Sequence, residues 1–79
     1  MMTLGELADL IPDAKLIGDA AVDFKDVSTD TRSLPPYCLF FCLKGERFDA
    51  HDFADQAVAG GAVALVVDRR LDLDVPQVV

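Results

Sequence analysis

The order of apolar and polar positions along the chain predicts short strands interspersed with two helices. Leu4, Leu7, Ala8 and Ile11 recur at helical spacing behind Thr3-Leu4-Gly5-Glu6, which has the S/T-x-x-E form of a capping box, with Met2 and Leu7 placed as a hydrophobic staple. A helix over residues 4–10 follows, stopped by Pro12, which has no amide proton to give the next turn. Residues 15–18 read as a short strand, Asp19-Ala20 as a turn and residues 22–27 as a second strand. The two prolines of Leu34-Pro35-Pro36-Tyr37 make a loop.

Residues 38–43 form an unbroken apolar run between Pro36 and Lys44-Gly45, the pattern of a central strand covered on both faces. Phe53, Ala54, Ala57 and Val58 then keep helical spacing over residues 52–59, with Asp49 or His51 as the cap and Gly60-Gly61 as the left-handed stop. Residues 62–67 are a second buried run, so this strand, helix and strand predict a right-handed crossover between parallel neighbours. Residues 75–79 look like the first half of one more strand, which reads as a domain excised from a longer protein. The expected fold is α/β: a small three-layer-like domain with a mixed, partly parallel sheet of about five short strands and two helices.

Composition narrows the class. The chain has 79 residues, 52% hydrophobic and 27% charged, enough apolar material for a packed core without disulfides. No apolar run approaches the roughly 20 residues that span a bilayer, and Glu6 and Asp9 occupy the place where a signal peptide carries basic residues; a cytoplasmic address is expected. Cys38 and Cys42, the only cysteines, lie an even number of positions apart on a predicted strand. They face one side, too far apart for a disulfide, and read as buried thiols; no zinc site is expected. A net charge of −7 speaks against nucleic acid, whose binding needs Lys and Arg on the phosphates. The acidic excess is uneven: residues 28–51 carry three bases and three acids, and the rest four bases and eleven acids. That central stretch can still receive an anion.

The candidate chemistry lies in the same stretch. Ser28-Thr29-Asp30-Thr31-Arg32 and the segment from Lys44 to His51 place hydroxyls, charges and a glycine at what the pattern makes the two ends of the 38–43 strand. Thr29 and Thr31 can donate to a carbonyl or phosphate and Arg32 offers a planar cation, although Ser28, Thr29 and Asp30 equally suit a simple turn. Lys44-Gly45 permits close backbone approach to a ligand. Neither G-x-x-x-x-G-K-[ST] nor G-x-G-x-x-G occurs. His51, the only histidine, reads as a cap or loop-packing residue, and Phe48 as a core-facing loop residue. No nucleophile is paired with a base, so binding is expected and no catalytic or metal-ligating residue is assigned.

Taken together, Ser28-Thr29-Asp30-Thr31-Arg32, Leu39-Phe40, the run from Lys44 to Phe53, Ala54-Asp55-Gln56-Ala57 and Gly60-Gly61-Ala62 resemble the N-terminal domain of the Mur ligases. The likeness covers essentially all 79 residues. It implies a three-domain cytoplasmic enzyme of peptidoglycan synthesis. In it, residues 1–79 hold the UDP end of a UDP-MurNAc-peptide, and the central ATPase and C-terminal domains lie outside this chain. ATP and Mg²⁺ belong to the full enzyme, where ATP phosphorylates the peptide carboxylate and an amine attacks the acyl phosphate. The run from Lys44 to Phe53 is most similar to the branch that adds D-alanyl-D-alanine to UDP-MurNAc-tripeptide. The alternatives are the branch that adds the third peptide residue and, from a different class, a non-enzymatic protein-interaction module.

By position the resemblance assigns UDP contacts to Thr29 and Thr31, with Asp30 and Arg32 shaping their turn, and to Glu46, Arg47 and Phe48 after the Lys44-Gly45 turn. One departure stands out. The family usually has Pro-Gly before the Leu-Phe strand, whereas this chain has Pro35-Pro36-Tyr37-Cys38. Proline cannot take the positive φ open to glycine, so the loop is expected to turn differently.

Overall fold

The computed structural model describes residues 2–44 and 49–79. A two-residue strand, β1 (Met2–Thr3), leads into helix α1 (Leu4–Leu10). The capping box is present in full: the Glu6 amide donates to Thr3 Oγ1 at 3.2 Å and the Thr3 amide to Glu6 Oε1 at 3.0 Å. These bonds keep the Glu6 carboxyl below its usual range, the Thr3 amide bond being the largest cause. Strands β2 (Leu16–Ile17), β3 (Asp23–Phe24) and β4 (Asp26–Ser28) follow, then β5 (Cys38–Phe41). A 3₁₀ turn (Ala50–Phe53), helix α2 (Ala54–Ala59), β6 (Ala64–Val66) and β7 (Gln77–Val78) complete the chain.

Five strands form one mixed sheet in the order β2-β7-β6-β5-β4, parallel throughout except for β2 against β7. The strand-helix-strand unit is as the pattern predicts, with β5 and β6 adjacent and parallel. Residues 75–79 supply β7, which has a neighbour on each side. Alternate side chains of β5 enter two cores. Cys38 and Phe40 pack with Ala54, Ala57, Leu65 and Val67 on the α2 face. Leu39 joins Leu4, Phe24, Ala64 and Val78 on the α1 face. The sheet is therefore the middle of three layers, and Cys38 and Cys42 share the α2 face as free thiols.

The second predicted strand is divided in two. β3 pairs antiparallel with β1 in a separate ribbon, and β4 pairs parallel with β5. Lys25 is the joint, its amide turned to the Tyr37 carbonyl at 2.9 Å. The strand near residue 16 pairs with distant β7 and not with its successor in sequence.

The proline loop turns as its two prolines require. Neither Pro35 nor Pro36 takes a positive φ; Tyr37 does, at 57°, so the left-handed residue sits immediately before β5. The Lys25 ammonium stacks 5.1 Å from the centroid of its exposed ring. At the other end of α2, Gly61 takes the left-handed stop with φ 116°.

Among the described residues no helix is long and apolar enough to cross a membrane.

Candidate functional site

The described parts of the two polar segments lie at one edge of the sheet. Because β4 and β5 run parallel, the residues after Ser28 and those after Phe41 emerge at the same carboxyl-terminal edge. Residues 29–37 then carry the chain back to the start of β5. The first cluster therefore lies beside the far end of the 38–43 run and not at its beginning, because the parallel partner β4 brings it there.

Between them lies a cavity of about 490 Å³. Thr29, Asp30, Thr31 and Arg32 form one wall. Phe40 and Leu43 line the strand side, and Ala50, Phe53 and Gln56 the side of the 3₁₀ turn and α2. Leu43 leaves the strand and turns outward, more than half exposed, after the last sheet bond from the Cys42 amide to the Val66 carbonyl at 2.9 Å. Hollows of about 440 and 500 Å³ occur elsewhere, one by Pro76 and one along the outer edge of β4, so volume does not select the site. Position does: in parallel sheets ligands bind outside the carboxyl ends of the strands.

The 29–32 wall is held by its own hydrogen bonds. Ser28, buried at the end of β4, accepts from the Asp30 amide at 3.2 Å. Its hydroxyl proton is directed to the Ser33 carbonyl at 2.9 Å and the Asp30 carbonyl at 3.1 Å. Asp30 in turn accepts from the Arg32 amide at 2.8 Å and grips the guanidinium through Nε and Nη2 at 3.0 and 2.9 Å. The guanidinium bonds, then the amide, hold the Asp30 carboxyl below its usual range, and Asp30 raises Arg32. Asp30 and Arg32 thus shape the turn. Among the described residues the hydroxyls of Thr29 and Thr31 and the side-chain amide of Gln56 make no hydrogen bond, which leaves them available to a ligand.

On the opposite side, Asp49 caps the 3₁₀ turn by accepting from the His51 amide at 2.9 Å, and the Ala50 amide donates to the Leu43 carbonyl at 2.9 Å. The His51 ring is buried: Nδ1 bonds Asp49 Oδ1, and Nε2 lies 3.0 Å from the Asp68 amide and 2.9 Å from Asp68 Oδ1. It packs the loop, as the sequence suggests. The His51 amide and ring, with Arg69, hold the Asp49 carboxyl down at about 2. Cys42 nearby is pushed up to about 11, mainly by burial and then by Asp49 and Asp68, so it is a thiol at neutral pH.

Of the residues singled out from sequence, Thr29, Asp30, Thr31 and Arg32 line the cavity. Lys44 is exposed and does not line it; its backbone bridges to Asp49. Gly45, Glu46, Arg47 and Phe48 lie outside the described residues. The residues assigned from sequence did not include Phe40, Leu43, Ala50, Phe53 and Gln56, which also line the cavity. The last two were accessible to sequence reasoning, since positions three apart at the start of a helix share a face.

An α/β domain with its cavity at the carboxyl ends of two parallel strands, rimmed by free hydroxyls and an amide, has the form of a small-molecule-binding domain suited to a polar ligand. Comparison with known proteins gives the family. Residues 23–79 match the family described as "Mur ligase family, catalytic domain". The chain is 58% identical over 78 residues to the UDP-N-acetylmuramoyl-tripeptide–D-alanyl-D-alanine ligase of Escherichia coli, covering 99% of this chain and 17% of that protein. It is 43% identical to the UDP-N-acetylmuramoyl-L-alanyl-D-glutamate–2,6-diaminopimelate ligase of Halalkalibacterium halodurans, over 100% of this chain and 16% of that protein. A crystal structure of MurF from Acinetobacter baumannii superposes with a TM-score of 0.67 at 43% identity, over 71% of this chain and 12% of that one. The chain belongs to the Mur ligase family. It spans about a sixth of the length of the curated relatives it matches.

Proposed function

We propose that this chain is the substrate-anchoring domain of a cytoplasmic, ATP-dependent ligase that joins D-alanyl-D-alanine to UDP-MurNAc-tripeptide. Its cavity would receive the UDP end of that precursor. The observation that carries this reading is the convergence of Thr29, Asp30, Thr31 and Arg32 with Phe53 and Gln56 around one cavity at the carboxyl edge of the sheet. Thr29, Thr31 and Gln56 offer uncommitted polar groups, and about 490 Å³ lies in the range of small-ligand sites. Glu46, Arg47 and Phe48 are assigned to the second contact on resemblance alone. The higher identity to the D-alanyl-D-alanine ligase favours that branch over the diaminopimelate ligase, and family membership weighs against a non-enzymatic interaction module.

The domain would hold a handle and do no chemistry. Gripping a remote, unreactive part of the substrate positions the distant carboxylate, so its loss lowers turnover as well as binding. Neither the sequence motifs nor the described residues make up a site for ATP or magnesium. The phosphate-cradling loop motif does not occur, and among the described residues no three His, Cys, Asp or Glu side chains converge on a metal position. ATP activation of the carboxylate would fall to residues outside this chain.

The test is an NMR titration of the chain with UDP-MurNAc-tripeptide. Amide shifts are expected to concentrate at 29–32 and 50–56, with weak affinity because the rest of the ligand would bind elsewhere. If millimolar ligand moves neither group of amides, the reading fails.

A further inference from the structure

The two walls of the cavity are fixed in different ways. Hydrogen bonds from Ser28 and Asp30 close the 29–32 wall upon itself within residues 28–33. The 3₁₀ turn is capped from within by Asp49, but its place in the wall depends on what ties it to the sheet. One tie is the Ala50 amide to the Leu43 carbonyl. A second is His51, which reaches seventeen positions along the chain to Asp68, just beyond β6.

The geometry of that second tie is exacting. Nδ1 faces the carboxylate of Asp49, which can only accept, so Nδ1 carries a proton. Nε2 has two partners of opposite kind on Asp68, the amide at 3.0 Å and a carboxylate oxygen at 2.9 Å. Both partners attach the ring to the residue just beyond β6 that they belong to. The Arg69 guanidinium also bridges the two carboxylates, at 3.2 Å from Asp49 and 3.4 Å from Asp68.

We propose that His51 is a positioning residue for the cavity: by joining Asp49 to Asp68 it sets the separation between the 3₁₀ turn and the 29–32 turn, and so the fit of the nucleotide diphosphate between them. This rests on the reading of the cavity as a UDP site. The ring does not line the cavity; Ala50 and Phe53, on either side of it in sequence, do. A misplacement of the turn is transmitted to them directly.

Two near-isosteric substitutions divide the two ends of the ring. In His51→Asn the amide reaches the Nδ1 position and keeps Asp49 but loses Asp68. In His51→Gln the amide reaches the Nε2 position and keeps Asp68. The experiment measures Kd for UDP by NMR titration of the wild-type chain and both variants, each shown folded by a parallel urea melt. His51→Asn is expected to raise Kd about tenfold or more and His51→Gln less than about threefold, a rescue that loss of stability alone does not produce. If the wild type binds and His51→Asn matches it within about twofold, the positioning role is overturned. If His51→Asn does not fold, His51→Gln decides: Kd within about threefold supports the role and a tenfold rise refutes it. A wild type that shows no UDP-dependent shift at 29–32 overturns the nucleotide reading itself, an outcome distinct from the others.

Discussion

Replacing Ser28 by alanine probes the stiffness of the cavity-lining 29–32 turn without touching any group that faces the cavity. The hydroxyl accepts one bond, from the Asp30 amide, and donates its single proton toward the Ser33 and Asp30 carbonyls. Two bonds at a net 0.5–1.5 kcal/mol each make the loss about 1–3 kcal/mol. The lower half is expected, because the turn beyond Ser28 borders solvent and water can take up part of what the hydroxyl held. For a domain of this length, whose total stability is on the order of 4–12 kcal/mol, the variant stays folded. With a urea slope of about 1 kcal/mol per molar, the unfolding midpoint should fall by about 1–2 M with the slope unchanged. Binding should suffer as well. Reordering even one residue costs about 1–2 kcal/mol, so Kd for UDP should rise about tenfold, measured at low temperature on folded protein. A midpoint within about 0.2 M of wild type, together with unaltered 29–33 amide shifts, would refute the idea that this hydroxyl holds the turn.

Substitutions at three further positions test other parts of the fold. Gln77, 1% exposed, accepts from the Leu71 amide at 2.8 Å and donates to the Leu71 carbonyl at 2.9 Å, so Gln77→Leu strands both groups and should cost about 2–5 kcal/mol in denaturant melts. Gln77→Glu should behave differently with pH: facing carbonyls, its folded pKa rises above the unfolded value, so melts should show it most stable in acid and weakening as pH increases through that raised value. Asp49 has the opposite sign; with its folded pKa depressed to about 2 against an ordinary 3.8, its contribution is present above pH 4 and lost as pH falls from there toward 2. Asp49→Asn should abolish that component of the acid melt. At Tyr37, φ 57° is costly for any branched side chain, so Tyr37→Val should destabilise by more than about 1 kcal/mol, whereas Tyr37→Gly should stay within about 1 kcal/mol of wild type in thermal melts.

What could be read from the sequence was whatever had a local cause. The capping box and helical spacing define α1 to the residue, because every determinant lies within residues 2–12. The apolar runs around α2 give two buried parallel strands for the same reason. Two-residue strands such as β1, β2 and β3 show no period, and their partners are fixed only by the assembled sheet. The site was half legible. Thr29 to Arg32 announced themselves by chemistry, but their placement beside the far end of β5 depends on β4 pairing in parallel, which no local pattern encodes. Gln77 gave no signal at all; a glutamine between Pro76 and Val78 looks like a surface residue until the loop at 71–73 folds over it.

The direction of β7 has a consequence for how a larger molecule would be built. It runs parallel to β6, β5 and β4, and the Lys15 and Val79 backbones bond each other in both directions, so Val79 is fixed at the edge where the cavity opens. At about 4.8 Å per strand, the exit lies on the order of 15 Å from β4 across the sheet. Any polypeptide continuing beyond Val79 therefore departs from the mouth side. A catalytic module attached there would start its path over the open end of the bound handle, with the tether itself setting how far the reacting group has to reach.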